Sequence, residues 1–413
     1  MSSLIRFCIK NVEEGSTLYY IWMLGLAVVM YLGIRPAVEQ ALEGLVVSNM
    51  SDATPWGLHI ANFTFMIGVA AGGITVVMPA YVFHHKGMKE IVVIGELLPI
   101  VAIILAVLCI FSDMGRPDRL LHVMPPFGIL NLPSSMLSFD VVVLNGYLGL
   151  NVFMVTYSLA KKYFHWSEGR FYRLVIVPLA YVSIAWALTI HAVTAFIFST
   201  LVARPYWNNP VAAPKFIATA VATGPAILII VLQLIEKRFK FPVKDEVYGL
   251  FARIAFFSLS ASMVMLVSEF VVELYTGSEH SIHARYLWLG YKGHYDLLPF
   301  SWGSTALNFF GLAGLYASGF GKNRSVLTAA ALCIVVGIWI EKGICFMFPA
   351  YVPNPLGEMA VYVPNGHELQ SVASIWAFGL FLFTVLVKIA VPIMSLSDEP
   401  PAERSRRFNN LEG

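Results

Sequence analysis

Charge is scarce in this chain. Lys and Arg number 27 and Asp and Glu 25 among 413 residues, while 58% of the residues are hydrophobic; a water-soluble domain could not bury that much apolar surface in one core. Cysteine is scarcer still. Cys8, Cys109, Cys333 and Cys345 form no CxxC pair and no cluster-ligand spacing, which excludes a disulfide framework and argues against an iron–sulfur cluster in this chain. Histidine is missing where a membrane cytochrome needs it. His191 alone falls well inside an apolar run; His59, His122, His280, His283, His294 and His367 lie at or beyond one set of run ends, and His84, His85 and His165 at the other. Without a facing intramembrane pair no haem is expected here, and no metal site. The net charge of +2 comes mainly from loops suited to anionic lipid headgroups, so nucleic acid is not an expected partner.

What the chain has in abundance is long apolar runs. Ten of them cover roughly 17–34, 60–83, 91–114, 139–160, 174–199, 215–235, 252–275, 301–319, 325–348 and 368–392. About 20 residues at about 1.5 Å each cross the hydrocarbon layer as a helix. The runs are continuous rather than alternating, which favours helices over a barrel. The expected fold is therefore all-α, a polytopic membrane protein with ten transmembrane helices. Loops on one side hold eighteen of the 27 basic residues, among them Lys161, Lys162, Lys237, Arg238, Arg404, Arg406 and Arg407; the opposite loops hold Arg35, Arg116, Arg119, Arg204, Arg285 and Lys292. The positive-inside rule then puts both termini in the cytoplasm and the chain in the cell membrane. The first run lacks a cleavage region and flows into an amphipathic piece at Pro36–Val47, so it is expected to be retained.

Runs two to five and six to nine echo each other. Each set opens on small residues, Gly68, Ala70, Ala71, Gly72 and Gly73 against Ala218, Ala220, Ala222, Thr223 and Gly224, which let helix backbones approach closely in lipid. The second run of each set ends on an acid, Asp113 or Glu273. The fourth is followed by Arg204-Pro-Tyr-Trp-Asn-Asn-Pro210 or Ala350-Tyr-Val-Pro-Asn-Pro355. An even number of helices per unit makes this a parallel repeat. The expected organisation is a first helix and amphipathic segment (1–59), two four-helix bundles (60–199 and 200–348), and an outer loop, tenth helix and cytoplasmic tail (349–413).

Ionisable groups inside lipid cost roughly 2.5–3.5 kcal/mol each at a helix centre, so each needs a reason. Asp113, Arg116, Asp140 and His191 gather near the outer surface in the first set, with Asn62, Thr64, Arg204 and Trp207 at that level. Asp113 and Arg116 also fit a helix C-terminal turn, with Gly115 left-handed and the two charges paired. Asp140 fits an acid favoured by the helix dipole, and Arg204 and Trp207 favour a structural role. His191 is hardest to explain structurally, because a buried imidazole needs partners for both nitrogens. In the second set Glu269 and Glu273 are four residues apart, and Glu341 and Lys342 lie in the ninth run. An ion pair of Glu269 with Lys342 is the simplest reading and a proton relay the alternative. Glu96, near an inner end, is either a proton entry group or a first-turn acid.

At these residues the chain resembles the NrfD/PsrC family, membrane subunits of polysulfide-reductase-type respiratory complexes. The carriers are Asp113-Met-Gly-Arg-Pro117, Pro133-Ser-Ser-Met-Leu-Ser, His191-Ala-Val-Thr-Ala-Phe, Ala203-Arg-Pro-Tyr-Trp-Asn208, Glu341-Lys-Gly and Phe348-Pro-Ala-Tyr-Val-Pro353. With ten runs and this length it is most similar to the DsrP-type branch found in DsrMKJOP complexes of sulfur metabolism. The resemblance implies a subunit without its own haem or cluster. Such a subunit binds menaquinone or another quinone near the outer surface and exchanges electrons with an extracytoplasmic, ferredoxin-like iron–sulfur subunit. The other expected partners are further DsrMKJOP-type subunits, including a haem-containing membrane subunit. It also implies that His191, Asp113 and Asp140 stand near the quinone, with Asn62 or Thr64 at the polar start of the first bundle helix. Some relatives have His where this chain has Thr64. The rival readings are a secondary transporter or proton channel, and a purely architectural anchor.

Overall fold

The structure is a computed structural model that describes residues 2–277, 281–354 and 357–396. The tail residues Arg404, Arg406 and Arg407, with His280 and Pro355, lie outside the described residues. The main elements are α1 (Ser2–Glu13), α2 (Thr17–Glu43), α3 (Leu58–Val82), α4 (Lys86–Asp113), α5 (Met136–Phe164), α6 (Tyr172–Ser199), α7 (Ala212–Phe239), α8 (Asp245–Thr276), α9 (Ile282–Trp288), α10 (Leu298–Ala317), α11 (Arg324–Tyr351) and α12 (Gly366–Met394). Among the described residues, nine of these helices are long and apolar enough to cross a membrane. The chain is an integral membrane protein.

Two of the expected runs differ in detail. The run at 301–319 is α10, a helix of 20 residues and so about 30 Å long, as expected, but it is not among the nine counted as apolar enough to cross a membrane. The reason is Ser301, Ser304 and Asn308, which are buried against protein rather than set in lipid. The first run flows on without a break, as α2 continues through Pro36 to Glu43. A proline removes one backbone donor without necessarily ending a helix. α2 leans on α12, where Trp22 donates to the Thr384 hydroxyl at 3.2 Å, and turns Leu24, Tyr31 and Leu42 outward.

Helix α3 packs on α4, α4 on α5, α5 on α6, and α6 back on α3; α7, α8, α10 and α11 close a second group in the same order. The two groups meet where α3 crosses α7. A Cβ placed on Gly224 would stand 2.3 Å from the Gly72 Cα, so only glycine permits this approach, and close backbone packing is how helices associate without water. At the crossing α3 tightens to a 3-10 turn over Ala71–Gly73, and it then widens to a π turn over Met78–Val82. Helix ends are capped by side chains. Ser135 caps α5, Asn323 caps α11, and Asn365 with Glu368 forms a reciprocal capping box on α12, which satisfies amide groups that lipid could not. One rim of the molecule thus carries the Asp113 end of α4, the other the Lys161 end of α5.

Candidate functional site

His191 lies two turns from the Asp113-rim end of α6 and is buried. Its Nδ1 lies 3.0 Å from the Ala187 carbonyl, an acceptor, so Nδ1 carries the proton and Nε2 is left as a lone pair. Nε2 makes no hydrogen bond and is turned toward the Ile67 carbonyl on α3. A proton arriving at Nε2 would therefore find a carbonyl to point at, and the imidazolium would have acceptors on both sides. One turn outward, the Thr194 hydroxyl donates to Asp140 Oδ1 at 2.8 Å, fully buried. Asp140 thus sits beside the His191 face of α6, held across the α5–α6 seam.

The remaining expected site residues take other places. Asn62 Oδ1 accepts two indole N–H groups, from Trp339 at 3.0 Å and Trp376 at 2.9 Å, which clamps α3 to α11 and α12. The Thr64 hydroxyl is spent on the Ala61 and Lys342 carbonyls, 2.8 and 2.9 Å away. Asp113 turns inward and accepts from the Gly57 amide at 3.3 Å. Its expected partner Arg116 instead pairs with Asp118 at 2.9 Å on the surface and holds that carboxyl below its usual range. Gly115 is not left-handed, and α4 ends on an extended Met114. Arg204 reaches the Ala350 and Ala53 carbonyls. Trp207 donates to the Phe346 carbonyl at 2.8 Å inside a cluster with Trp56, Phe198 and Tyr351. These contacts join loop to helix.

The second group of helices encloses charge. Lys215 Nζ stands 2.6 Å from Glu269 and 3.3 Å from Glu341. Asn209 donates to the other Glu269 oxygen at 3.1 Å, and Asn308 to the other Glu341 oxygen at 2.8 Å. The expected Glu269–Lys342 pair is therefore replaced by Lys215, which sequence reading passed over as a residue near a helix start. Lys342 donates to the Phe216 carbonyl at 3.0 Å and lies over the Phe216 ring. A cavity of about 60 Å³ opens among these groups, bordered also by Glu273, Tyr206 and Trp288.

Glu96 on α4 is buried with Oε2 unbonded. A larger cavity of about 450 Å³ opens at the Lys161 rim, walled by Lys89, Val92 and Val93 of the same helix and by Tyr81, Tyr157, Lys161 and Tyr172; it stops one turn short of Glu96. Tyr81 and Tyr147 lie within electrostatic reach of that carboxyl. Sequence reading also missed Glu368, buried beneath the Asp113 rim, where it takes a hydrogen bond from Tyr362 and caps α12. The Asn365-Gly-His-Glu368 spacing was the available signal. Among the described residues no group of three or more His, Cys, Asp or Glu could hold a metal ion.

The sequence profile of the family described as polysulphide reductase, NrfD, matches residues 46–352. The chain belongs to the NrfD family. It is 30% identical over 229 residues to a protein of Halobacterium salinarum assigned as a dimethyl sulfoxide reductase membrane subunit, covering 52% of each chain. It is 28% identical over 220 residues to the Hdr-like menaquinol oxidoreductase integral membrane subunit of Archaeoglobus fulgidus, covering 53% of this chain and 52% of the other. The match thus spans about half the length of these two relatives. A selenate reductase subunit of Mesobacillus selenatarsenatis is 21% identical over 426 residues, covering 91% of this NrfD-family chain and 94% of its own.

Proposed function

We propose that this chain is the quinone-facing membrane subunit of a multi-subunit respiratory redox complex. The observation that carries the reading is the His191 Nε2 lone pair, buried and unbonded, with the Thr194–Asp140 hydrogen bond one turn away. A quinol hydroxyl is the donor such a nitrogen lacks, and quinol oxidation needs an acceptor for each proton as the electrons leave. His191 would take the proton, Asp140 would orient the second ring oxygen, and apolar helix faces would hold the tail. His191 is closed off in this structure, so a ring enters only as side chains between α3 and α6 part. Relatives named as subunits of a menaquinol oxidoreductase and of two reductases support the reading.

The finer assignment follows the resemblance. The quinone is menaquinone-type, and the electrons pass to an extracytoplasmic iron–sulfur subunit docked on the Asp113 rim. The complex is of DsrMKJOP type, with this chain in the DsrP place, and the Lys161 rim faces the cytoplasm by its basic residues. The two four-helix groups are copies of one unit, as their matched packing order and the Gly72–Gly224 contact support. Glu96, one turn beyond the Lys161-rim cavity, is the proton entry group. Of the groups that could bridge outward from it, Tyr147 and Asn151 point inside, whereas Asn145, Tyr181 and Thr189 are exposed on the outside of the bundle.

Fluorescence quenching of a quinol analogue by the purified chain tests the site. Binding is expected to weaken about tenfold or more in His191→Ala and less in Asp140→Asn, since each removes one hydrogen bond to a polar ring atom. Unchanged binding in both variants removes the assigned site; no binding by the unaltered chain favours the architectural anchor.

A further inference from the structure

We infer that the second helix group is the proton path between the His191 niche and the Asp113 rim, with Lys342 as the crossing point between the two groups. The inference rests on the quinone reading above. Lys342 belongs to α11 and bonds Phe216 of α7, yet its side chain also lies against α3 of the first group. A Cβ on Gly68 would stand 3.1 Å from its Nζ, and its own carbonyl is held by Thr64 at 2.9 Å. His191 approaches the neighbouring residue of α3, Ile67, and is within electrostatic reach of the Lys342 ammonium. The two side chains therefore meet α3 at consecutive positions, from opposite bundles.

Beyond Lys342 the route is continuous in chemistry. Its chain neighbour Glu341 faces Lys215 at 3.3 Å, and Lys215 faces Glu269 at 2.6 Å. All four residues line the same cavity, together with Glu273 and the rim-loop residues Tyr206 and Asn209. That cavity has room for a few water molecules and none for a quinone ring. Lys215 stands three residues inside the start of α7, and Glu269 seven residues before the end of α8, so the chain of groups runs toward the Asp113 rim. The other way out, past Asp113, is closed by structure. There the Gly57 amide donates to Asp113, the Leu58 amide donates to the Tyr362 hydroxyl, and Tyr362 donates to Glu368 of the α12 capping box.

An imidazolium and an ammonium within electrostatic reach of each other repel, so the His191–Lys342 pair holds one excess proton at a time, and Lys342 accepts from His191 only as the neutral amine, after its own proton has gone to Glu341. Oxidation of one quinol releases two electrons and two protons. The electrons leave to the partner iron–sulfur protein. Each proton passes to His191 Nε2, then to Lys342 Nζ, and from there through Glu341 and the Lys215–Glu269 pair to water at the rim. Quinone reduction runs the same path inward.

The test uses the intact complex, isolated through a tag on this chain, with a quinol analogue and a soluble one-electron acceptor dye. In Lys342→Met, turnover is expected to fall about tenfold or more, as for loss of one proton-transfer group. Analogue binding should stay within about twofold and the solvent deuterium isotope effect should rise, because proton transfer has become limiting. Ethylammonium added to Lys342→Ala should restore part of the rate, and Glu341→Gln should repeat the slower turnover with the raised isotope effect. Unchanged turnover in Lys342→Met overturns the path. Lost analogue binding in that variant makes Lys342 a ligand and overturns it equally, and slow turnover with neither isotope effect nor rescue makes Lys342 merely structural. Absence of analogue binding in the unaltered complex instead defeats the quinone reading, and the path falls with it.

Discussion

The two four-helix groups share an order of packing but treat buried polarity in opposite ways. In the first, polar side chains have few and uncharged partners, Asp140 Thr194, Asn62 two indoles and Asp113 one amide, and His191 and Glu96 each keep one unbonded atom. In the second, two lysines and three glutamates border one small cavity, with Lys215 between two carboxylates. Polar groups with few partners suit a neutral ring that arrives and leaves, because little bonding has to be broken again at each turnover. A standing network of charges suits movement of a proton and excludes an apolar guest. The same scaffold thus divides substrate chemistry from charge handling, and the seam between them is the Gly72–Gly224 crossing.

The largest way to break this division is at the seam. Gly224→Leu forces a side chain into a place where even a Cβ would be 2.3 Å from the Gly72 backbone. Neither neighbour is a flexible side chain that can yield, so the overpacking cost of about 1–3 kcal/mol or more is expected to abolish monodisperse protein in detergent size-exclusion runs. Normal yield and elution would show that the groups can associate without this contact.

Next comes the charge network. Lys215→Met leaves Glu269 and Glu341 without their shared cation, a loss of about 3–5 kcal/mol when a buried pair is broken from one side. Thermal unfolding in detergent should show a clear fall, and Glu269→Gln added to it should recover part. In the first group, Thr194→Val removes only one donor from Asp140, for about 1–3 kcal/mol. Equal losses at the two sites would erase the contrast between the bundles.

How far this was readable in the sequence follows the same contrast. Apolar runs of membrane length depend on composition alone, so most spans, α10 included, come out within a few residues, except where a proline is tolerated, as at Pro36. His191 stood out because no other histidine lies deep in a run. Partners did not come out. Glu269 joins Lys215 rather than Lys342, and Asp113 joins Gly57 rather than Arg116, because which of several nearby residues faces inward is set by helix rotation and tilt, which hydropathy does not encode. Lys215 and Glu368 lie close to helix starts, where charge is ordinary, and only packing reveals that both are enclosed.

A smaller effect is expected at Asn62. Trp376→Phe removes one of its two indole donors and leaves Trp339 in place, so a destabilisation of about 1 kcal/mol is expected, with no change in quinol-analogue binding. If analogue binding fell instead, Asn62 would belong to the quinone site rather than to the clamp.

The smallest expected effect is at Glu96. Glutamine there keeps the shape and removes the charge and the exchangeable acid, so the fold should be indifferent. The Lys161-rim cavity ends at Val92 and Val93, one turn of α4 short of the buried carboxyl, and Tyr81, which lines it, is within electrostatic reach of Glu96. Beyond it, α4 offers only apolar residues until Ser112, so any onward transfer must use groups of the neighbouring helices, such as the buried Tyr147 and Asn151 on α5 and Ser183 on α6. A group that loads such a gap governs rate more than capacity. In vesicles holding the intact complex, Glu96→Gln is therefore expected to slow proton uptake from the Lys161 side about twofold to tenfold. Electron transfer with the membrane made proton-leaky should persist. Uptake at the unaltered rate and stoichiometry would leave Glu96 as a buried acid without a part in the path, and would place whatever protons the first group handles on the route through Lys342 alone.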